Sequence, residues 1–368
     1  VLRSVDVSED QDLPIQHIFR WDLDKTYLRT EFDSWRDLIR TALTKPEERL
    51  NVPGADALMR EITRPREDGR PFVSFISGSP TQMRRTLEQK FALDGVKPDM
   101  FILKPQLEYL IRGKFKAIRG QVGYKLEALL RVREMTPLAP EFCFGDDAEQ
   151  DAFIYSLYGD VAAERVTLEQ LDGILRAARV YPDTQTLIME RAAAARKQDT
   201  VARIFINLDR RSAPGRFLVF GPRVVPISNY FQAALMLCHD RVLSSAGLLR
   251  VASDMIRAED YGVQDLANSF QDLCRRGHLP GRELVERVLD ERAGALADQI
   301  EELDRHPALP PDFSERLLTR LRALAPRKSP PEREWAGPPD YLELLELDHK
   351  LRESLEETPK PKKKRGLF

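Results

Sequence analysis

An apolar run, Ile18-Phe19-Arg20-Trp21, ends abruptly in Asp22-Leu23-Asp24-Lys25-Thr26. Two carboxylates one residue apart at the end of a buried strand constrain the fold more than any other stretch. Ligands bind beyond the carboxyl ends of strands in open α/β sheets. Two close carboxylates repel and raise one pKa unless a cation compensates them. The chain must therefore build a sheet with one functional edge and bring a cation site to it.

The same texture recurs. Phe72-Val73-Ser74-Phe75-Ile76 reads as a buried strand ending in Ser77-Gly78-Ser79-Pro80, and Met100 to Leu103 as a short third strand. Phe142-Cys143-Phe144 ends in Gly145-Asp146-Asp147, and Val201 to Leu208 reads as a fifth strand. Helical apolar spacing fills the intervals: Glu31 to Leu43, Ala55 to Ile62, Thr81 to Phe91, Tyr124 to Arg133, Asp151 to Tyr158 and Leu168 to Val180. Lys125 falls near the start of its helix. Strand and helix in alternation predict an α/β fold with a doubly wound, largely parallel sheet.

After Asp209 the pattern changes. Arg216 to Ile227 suggests a short hairpin around Gly221-Pro222, and Asn229 to Leu324 reads as helices. The expected organisation is a lead-in over 1–15, an α/β domain over 16–210 and a hairpin plus helical region over 211–325. A Pro-rich linker over 326–340, a helix over 341–358 and a basic tail over 359–368 complete it.

Composition narrows the function. The formal net charge is −2, from 57 basic and 59 acidic residues, which gives no global field for nucleic acid. The three cysteines, Cys143, Cys238 and Cys274, lack metal-site spacing and fit small core residues in a reducing compartment. No apolar run reaches membrane-spanning length. The first residues show no basic head leading into an apolar block, so a cytoplasmic protein without a secretory leader is expected. The terminal cluster Lys360-Pro361-Lys362-Lys363-Lys364-Arg365 is either a solubilising tail or a peripheral contact with anionic lipid. Nothing in the sequence sets the oligomeric state.

The polar groups at the strand ends form a coherent chemical set. Asp22 and Asp24 offer a nucleophile and a proton-transfer group, Ser77 a hydroxyl, Lys125 an ammonium, and Asp146 with Asp151 a cation site. Phosphoryl transfer needs these parts: in-line attack and neutralisation of three charged oxygens. An all-oxygen donor set suits Mg²⁺.

In this order, Asp22-x-Asp24-x-Thr26, Ser77, Lys125 and Gly145-Asp146-x-x-x-x-Asp151 resemble the haloacid dehalogenase (HAD) superfamily of aspartate-nucleophile phosphatases over roughly residues 16–208. Ser77-Gly78-Ser79-Pro80 and Gly145-Asp146-Asp147-Ala148-Glu149-Gln150-Asp151-Ala152-Phe153-Ile154-Tyr155 further resemble the lipin and actin-patch-protein branch, which includes phosphatidate phosphatases. Here Asp147 stands where that branch usually has Ser, and Ala152 where Pro is frequent.

The resemblance implies a HAD-like Rossmannoid three-layer sheet and roles for each residue. Asp22 is the nucleophile that forms an aspartyl-phosphate, and Asp24 the general acid and then base. Thr26 braces the loop. Ser77, with the Gly78 amide, binds a phosphoryl oxygen, and Lys125 bridges phosphate and nucleophile. Mg²⁺ is held by Asp22, the Asp24 carbonyl and Asp146, with Asp147 or Asp151 as a further ligand; Asp151 fits the superfamily spacing better. Asp24-Lys25-Thr26 also resembles the phosphorylated triplet of ion-pumping ATPases, but Tyr27-Leu28 follows in place of Gly-Thr, which favours Asp22. The stretches from Thr26 to Ser77 and from Ser77 to Lys125 are too short for an elaborate cap. An open site favours a large or membrane-borne phosphomonoester such as phosphatidate, and suits protein or nucleic-acid end phosphates equally. The reading from another class is a non-catalytic module whose helical half docks a partner.

Overall fold

A computed structural model describes residues 13–29, 50–64, 66, 69–104, 114–258, 260–328 and 335–357. The helix expected over 31–43 and the basic tail lie outside the described residues. Six strands form one sheet: β1 (Ile15–Trp21), β2 (Arg70–Pro80), β3 (Met100–Lys104), β4 (Glu141–Asp146), β5 (Val201–Asn207) and β6 (Val224–Ile227). The order is β3-β2-β1-β4-β5-β6, and every neighbouring pair is parallel. From β1 the chain builds outward through β2 and β3, then returns to the other side of β1 for β4, β5 and β6. The switch point lies between β1 and β4, where this class of sheet opens a crevice for ligands. Asp22 follows β1 and Asp146 ends β4, so the two strands deliver a carboxylate to each side of that crevice.

Alternation along β1 assigns its two faces. Phe19 and Trp21 join an aromatic seam on one side. Trp21 stacks on Phe144 with ring centroids 3.9 Å apart, and Phe144 stacks on Phe205 at 4.9 Å. Such pairs add about 0.5–1.5 kcal/mol each beyond the area they bury. This face is covered by α1 (Ala55–Ile62), α2 (Arg84–Leu93, entered by a 3₁₀ turn) and a set of C-terminal helices: α7 (Tyr230–His239), α8 (Ser245–Ala258), α9 (Val263–Arg275), α10 (Gly281–Ala293), α11 (Ala297–Asp304) and α12 (Phe313–Leu324). One apolar cluster runs unbroken from Phe19, through Tyr230 and Phe231 on α7, to Leu317 and Leu321 on α12.

The opposite face carries α3 (Lys114–Met135), α4 (Asp151–Ala162), α5 (Leu168–Ala177), α6 (Pro182–Ala194) and, packed on their far side, α13 (Tyr341–Glu357). Here Arg20 points away from the aromatic seam into a buried ionic cluster. Its guanidinium pairs with Glu141, whose carboxylate also takes Arg133 at 2.6 Å, Thr200 at 2.7 Å and Tyr158 at 2.8 Å. Burying charges is tolerable only when each finds such partners.

Three expectations change. The hairpin is absent: residues 214–220 form a 3₁₀ segment and β6 runs parallel to β5, so the sheet extends to Ile227, past the expected boundary at 210. Pro226 is accommodated because β6 is an edge strand, where a missing N–H costs no ladder bond. Lys125 sits in the second half of a 22-residue helix that starts at Lys114, not near a helix start. Gly123 lies inside that helix, where a Cβ would come within 2.7 Å of Val180; close packing on Val180 outweighs the low helix propensity of glycine. Finally, the carboxyl end of the expected linker is packed. Trp335 lies under the guanidinium groups of Arg165 and Arg223, 4.6 and 5.6 Å from its ring. Five of the six strands and helix α1 match the sequence reading closely, and all three cysteines are buried thiols.

Candidate active site

The loop after β1 is fixed before any ligand arrives. The Asp22 amide donates to the Phe144 carbonyl at 2.8 Å, tying the loop to β4. The Tyr27 and Leu28 amides both donate to the Leu23 carbonyl at 2.9 Å, closing a tight turn that puts Lys25 at φ 61°. Asn207, at the end of β5, donates to the Lys25 carbonyl at 2.8 Å, and the Tyr230 hydroxyl donates to the Thr26 carbonyl at 2.6 Å. The helical half thus supports the site loop directly.

Asp22 is 1 % exposed and meets the Lys125 ammonium at 2.9 Å. Thr26 lies on its other carboxylate oxygen at 3.4 Å. Asp24 is held separately. The Ser79 hydroxyl donates to it at 2.7 Å and the Ser77 hydroxyl at 3.2 Å, while Ser77 accepts the Ser79 amide at 2.9 Å. Ser77 therefore lies at this edge on Asp24, with Ser79 as the closer partner. Gly78 lies between these two serines; a Cβ there would be 3.5 Å from the Gln121 amide nitrogen.

The turn after β4 supplies the rest. Asp146 accepts the Ala148 and Glu149 amides on one oxygen, at 2.5 and 2.9 Å. Its other oxygen is buried and has no hydrogen-bond partner. Asp151, at the start of α4, accepts the Asp146 amide at 3.2 Å and the Lys125 ammonium at 2.5 Å. Gly145 is obligatory in this turn, since a Cβ would fall 2.4 Å from that of Asp151. Lys125 also pairs with Glu149 at 2.7 Å, and Gln121 donates to the other Glu149 oxygen at 2.6 Å.

Asp147 does not join this group. Its carboxylate accepts the Arg210 and Ser212 amides, at 2.7 and 2.9 Å, and clamps the loop after β5. Of the two carboxylates left open as the further ligand, Asp151 is the one in the cluster. Glu149 and Gln121 were missed by the sequence reading. The available signals were weak: an acid in the turn between Asp146 and Asp151, and a glutamine one helical turn before Lys125.

Asp22, Asp146, Glu149 and Asp151 each bring an oxygen within 4.8 Å of the others. Burial pushes the Asp22 and Asp146 carboxyls well above the ordinary range, opposed at both by Lys125. Burial also raises Asp151, again against Lys125. Burial would raise Glu149 too, but Lys125 and Gln121 hold it below the usual carboxylate range. Burial raises Asp24, with the Ser79 and Ser77 hydrogen bonds working the other way. Lys125 would be lowered by burial, yet Asp151, Asp22 and Glu149 keep it firmly protonated. One ammonium among this many carboxylates leaves the cluster short of positive charge. The unpartnered Asp146 oxygen faces that deficit, and the all-oxygen set fits a hard divalent cation such as Mg²⁺.

The family model described as the catalytic domain of phosphatidate phosphatase APP1 matches residues 21–168, from the end of β1 to the start of α5. That stretch is similar to this catalytic domain and holds Asp22, Asp24, Ser77, Ser79, Lys125, Asp146, Glu149 and Asp151, while Asn207 and Tyr230, which hold the loop after β1, lie beyond it. No curated protein and no solved structure matches the chain. Among the described residues no helix is long and apolar enough to cross a membrane.

Proposed function

We propose that this protein is a HAD-type, Mg²⁺-dependent phosphomonoester hydrolase that works through an aspartyl-phosphate on Asp22, with phosphatidate or a related lipid phosphate as substrate. The observation that carries this reading is the convergence of Asp22, Lys125, Asp146 and Asp151 at the sheet's switch point. The match to a phosphatidate phosphatase catalytic domain supports the choice of lipid phosphate.

Asp22 stands at the end of β1, with its carboxylate on Lys125 and its backbone amide on the Phe144 carbonyl of β4. Its oxygen attacks phosphorus as the bond to the substrate alkoxide breaks. Asp24 gives that alkoxide its proton; burial, which favours its protonated form, suits it to the task. In the second half Asp24 takes a proton from water, the resulting hydroxide attacks phosphorus, and inorganic phosphate leaves Asp22. Ser77 and Ser79 fix Asp24 on the same edge, and with the Gly78 amide they are placed in this reading to meet phosphoryl oxygens. Lys125 holds the nucleophile and opposes the developing charge. A Mg²⁺ ion held by Asp22, the Asp24 carbonyl, Asp146 and Asp151 would supply the positive charge that lets an anionic nucleophile approach an anionic phosphate. The basic tail is a means of bringing the site to an anionic membrane from the cytoplasm.

The test is a phosphate-release screen over phosphatidate in mixed micelles, phosphoinositides, phosphopeptides, nucleotides and nucleic-acid ends. Mg²⁺-dependent release from phosphatidate is expected, and its loss in Asp22→Asn. Release that persists fully in EDTA, or in Asp22→Asn, would overturn the mechanism. Preference for a phosphopeptide or a nucleic-acid end would overturn the substrate.

A further inference from the structure

Lys125 has three carboxylate oxygens within 2.9 Å, from Asp22, Glu149 and Asp151. An ammonium has three N–H bonds. The lysine assigned to bridge phosphate and nucleophile is therefore already surrounded, and it is 1 % exposed. A phosphoryl oxygen can reach it only if one carboxylate moves away.

The three differ in their freedom to do so. Asp22 must stay to attack, and its loop is pinned by Phe144, Asn207 and Tyr230. Asp151 is fully buried, bonded to the Asp146 amide, and pressed against Gly145. Glu149 has the longest side chain, stands on the turn between β4 and α4, and is 24 % exposed. Its other oxygen is held by a neutral group, the Gln121 amide.

The mouth also offers somewhere for a released carboxylate to go. Lys25 is tied only loosely, 3.8 Å from the partly exposed Asp209. Lys104, at the end of β3 and in register with Pro80, has its ammonium 6.0 Å from the Tyr124 ring and no carboxylate partner among the described residues. Glu149 interacts electrostatically with both lysines.

Taking the phosphatase reading above as its basis, we propose that Glu149 is a resident anion: it occupies the phosphate position on Lys125 in the substrate-free enzyme and is displaced toward Lys25 and Lys104 when a phosphoryl group enters. Glu149 is then a positioning residue. It keeps Lys125 charged and aimed while the site is empty, at the expense of phosphate affinity. Exchange of one anion for another also limits retention of the product.

Calorimetric titration of inorganic phosphate, with Mg²⁺ present, into the full chain tests this directly. Glu149→Gln and Glu149→Ala are expected to bind phosphate about tenfold more tightly than wild type, an effect of about 1.4 kcal/mol. Their Mg²⁺ affinity should match wild type. Asp147→Asn is the control: it removes a neighbouring charge that does not touch Lys125, and phosphate affinity should stay near the wild-type value. Unchanged or weaker phosphate binding in folded Glu149 variants would overturn the proposal. Equal tightening in Asp147→Asn would overturn it too, by reducing the effect to general electrostatics. So would loss of Mg²⁺ binding, which would make Glu149 a metal ligand. Failure of the phosphatase reading itself would show separately, as no phosphate release from any monoester by the wild type.

Discussion

Glu141 carries much of the ionic order beneath the sheet. It neutralises both Arg20 and Arg133, and burial, which would raise its pKa, is outweighed by these partners and Thr200, so the carboxyl lies below its ordinary 4.5. A carboxyl depressed on folding contributes stability above its unfolded pKa and loses it as pH falls through the folded value. Urea unfolding should show wild-type stability falling steeply below about pH 4.5, with Glu141→Gln much less sensitive over that window. At neutral pH the same variant should cost about 3–5 kcal/mol, because two arginines lose their partner. At the candidate site, Asp146→Asn should lose the Mg²⁺-induced rise in melting temperature, since it alters a buried carboxylate oxygen that has no hydrogen-bond partner. An undiminished rise would place the ion elsewhere. Asp22, Thr26, Asp146 and Asp151 were legible in the sequence because each stands at an element end that a parallel sheet must bring to one edge; Lys125, in mid-helix, was singled out by its spacing ahead of Asp146. Asp147 stayed an open alternative to Asp151 because a sequence gives spacing but not the direction of a side chain in a turn. Glu149 was missed because an acid in a charged chain carries no mark until its partner, Lys125, is found beside it.

Among the elements, the turn from β4 to α4 has the least tolerance. Gly145→Ala would drive a methyl group into the Asp151 side chain, which is buried and cannot withdraw. Overpacking of this kind costs about 1–3 kcal/mol. Here it also separates Asp151 from Lys125, so phosphate release should fall much more than stability does. Helix α13 braces the same turn from outside. Tyr341 donates to Asp160 at 2.5 Å and packs edge-on against Phe153, while Gln150 donates to Asp348 at 3.0 Å. Tyr341→Ala should lower unfolding free energy by about 3–5 kcal/mol, measured by urea denaturation. The strands were readable from their apolar runs, and β6 was the exception. Val224-Val225-Pro226-Ile227 is short, contains a proline and follows Gly221-Pro222, all of which signal a turn. Only pairing with β5, a tertiary fact, makes it a parallel strand. The length of α3 was hidden by Gly120 and Gly123, whose cost in a helix is offset at Gly123 by contact with Val180.

At the scale of the molecule, the helical half shares one apolar core with the sheet that carries the candidate site. Trp21, Phe144 and Phe205 on the sheet and Tyr230, Phe231 and their successors on α7–α12 belong to one cluster. The full chain should therefore unfold in one cooperative step by tryptophan fluorescence and far-ultraviolet circular dichroism. A fragment ending at residue 210 would expose the aromatic face and should aggregate or bind a hydrophobic dye; a monomeric, active fragment would show that the helices are dispensable. The same packing lets Tyr230 hold the Thr26 carbonyl, so the helical region supports the loop that carries Asp22 and not merely the sheet. Its architecture was foreseeable as helical, but its role as the cover of one sheet face was not, because apolar periodicity does not say what a helix packs against. The claim on which the rest depends is that Asp22 takes the phosphoryl group. Rapid acid quench during turnover with Mg²⁺, followed by borohydride trapping and peptide mass spectrometry, reads this position directly. The account predicts modification at Asp22, abolished in Asp22→Asn; modification at Asp24, or none at either residue during active turnover, would contradict it.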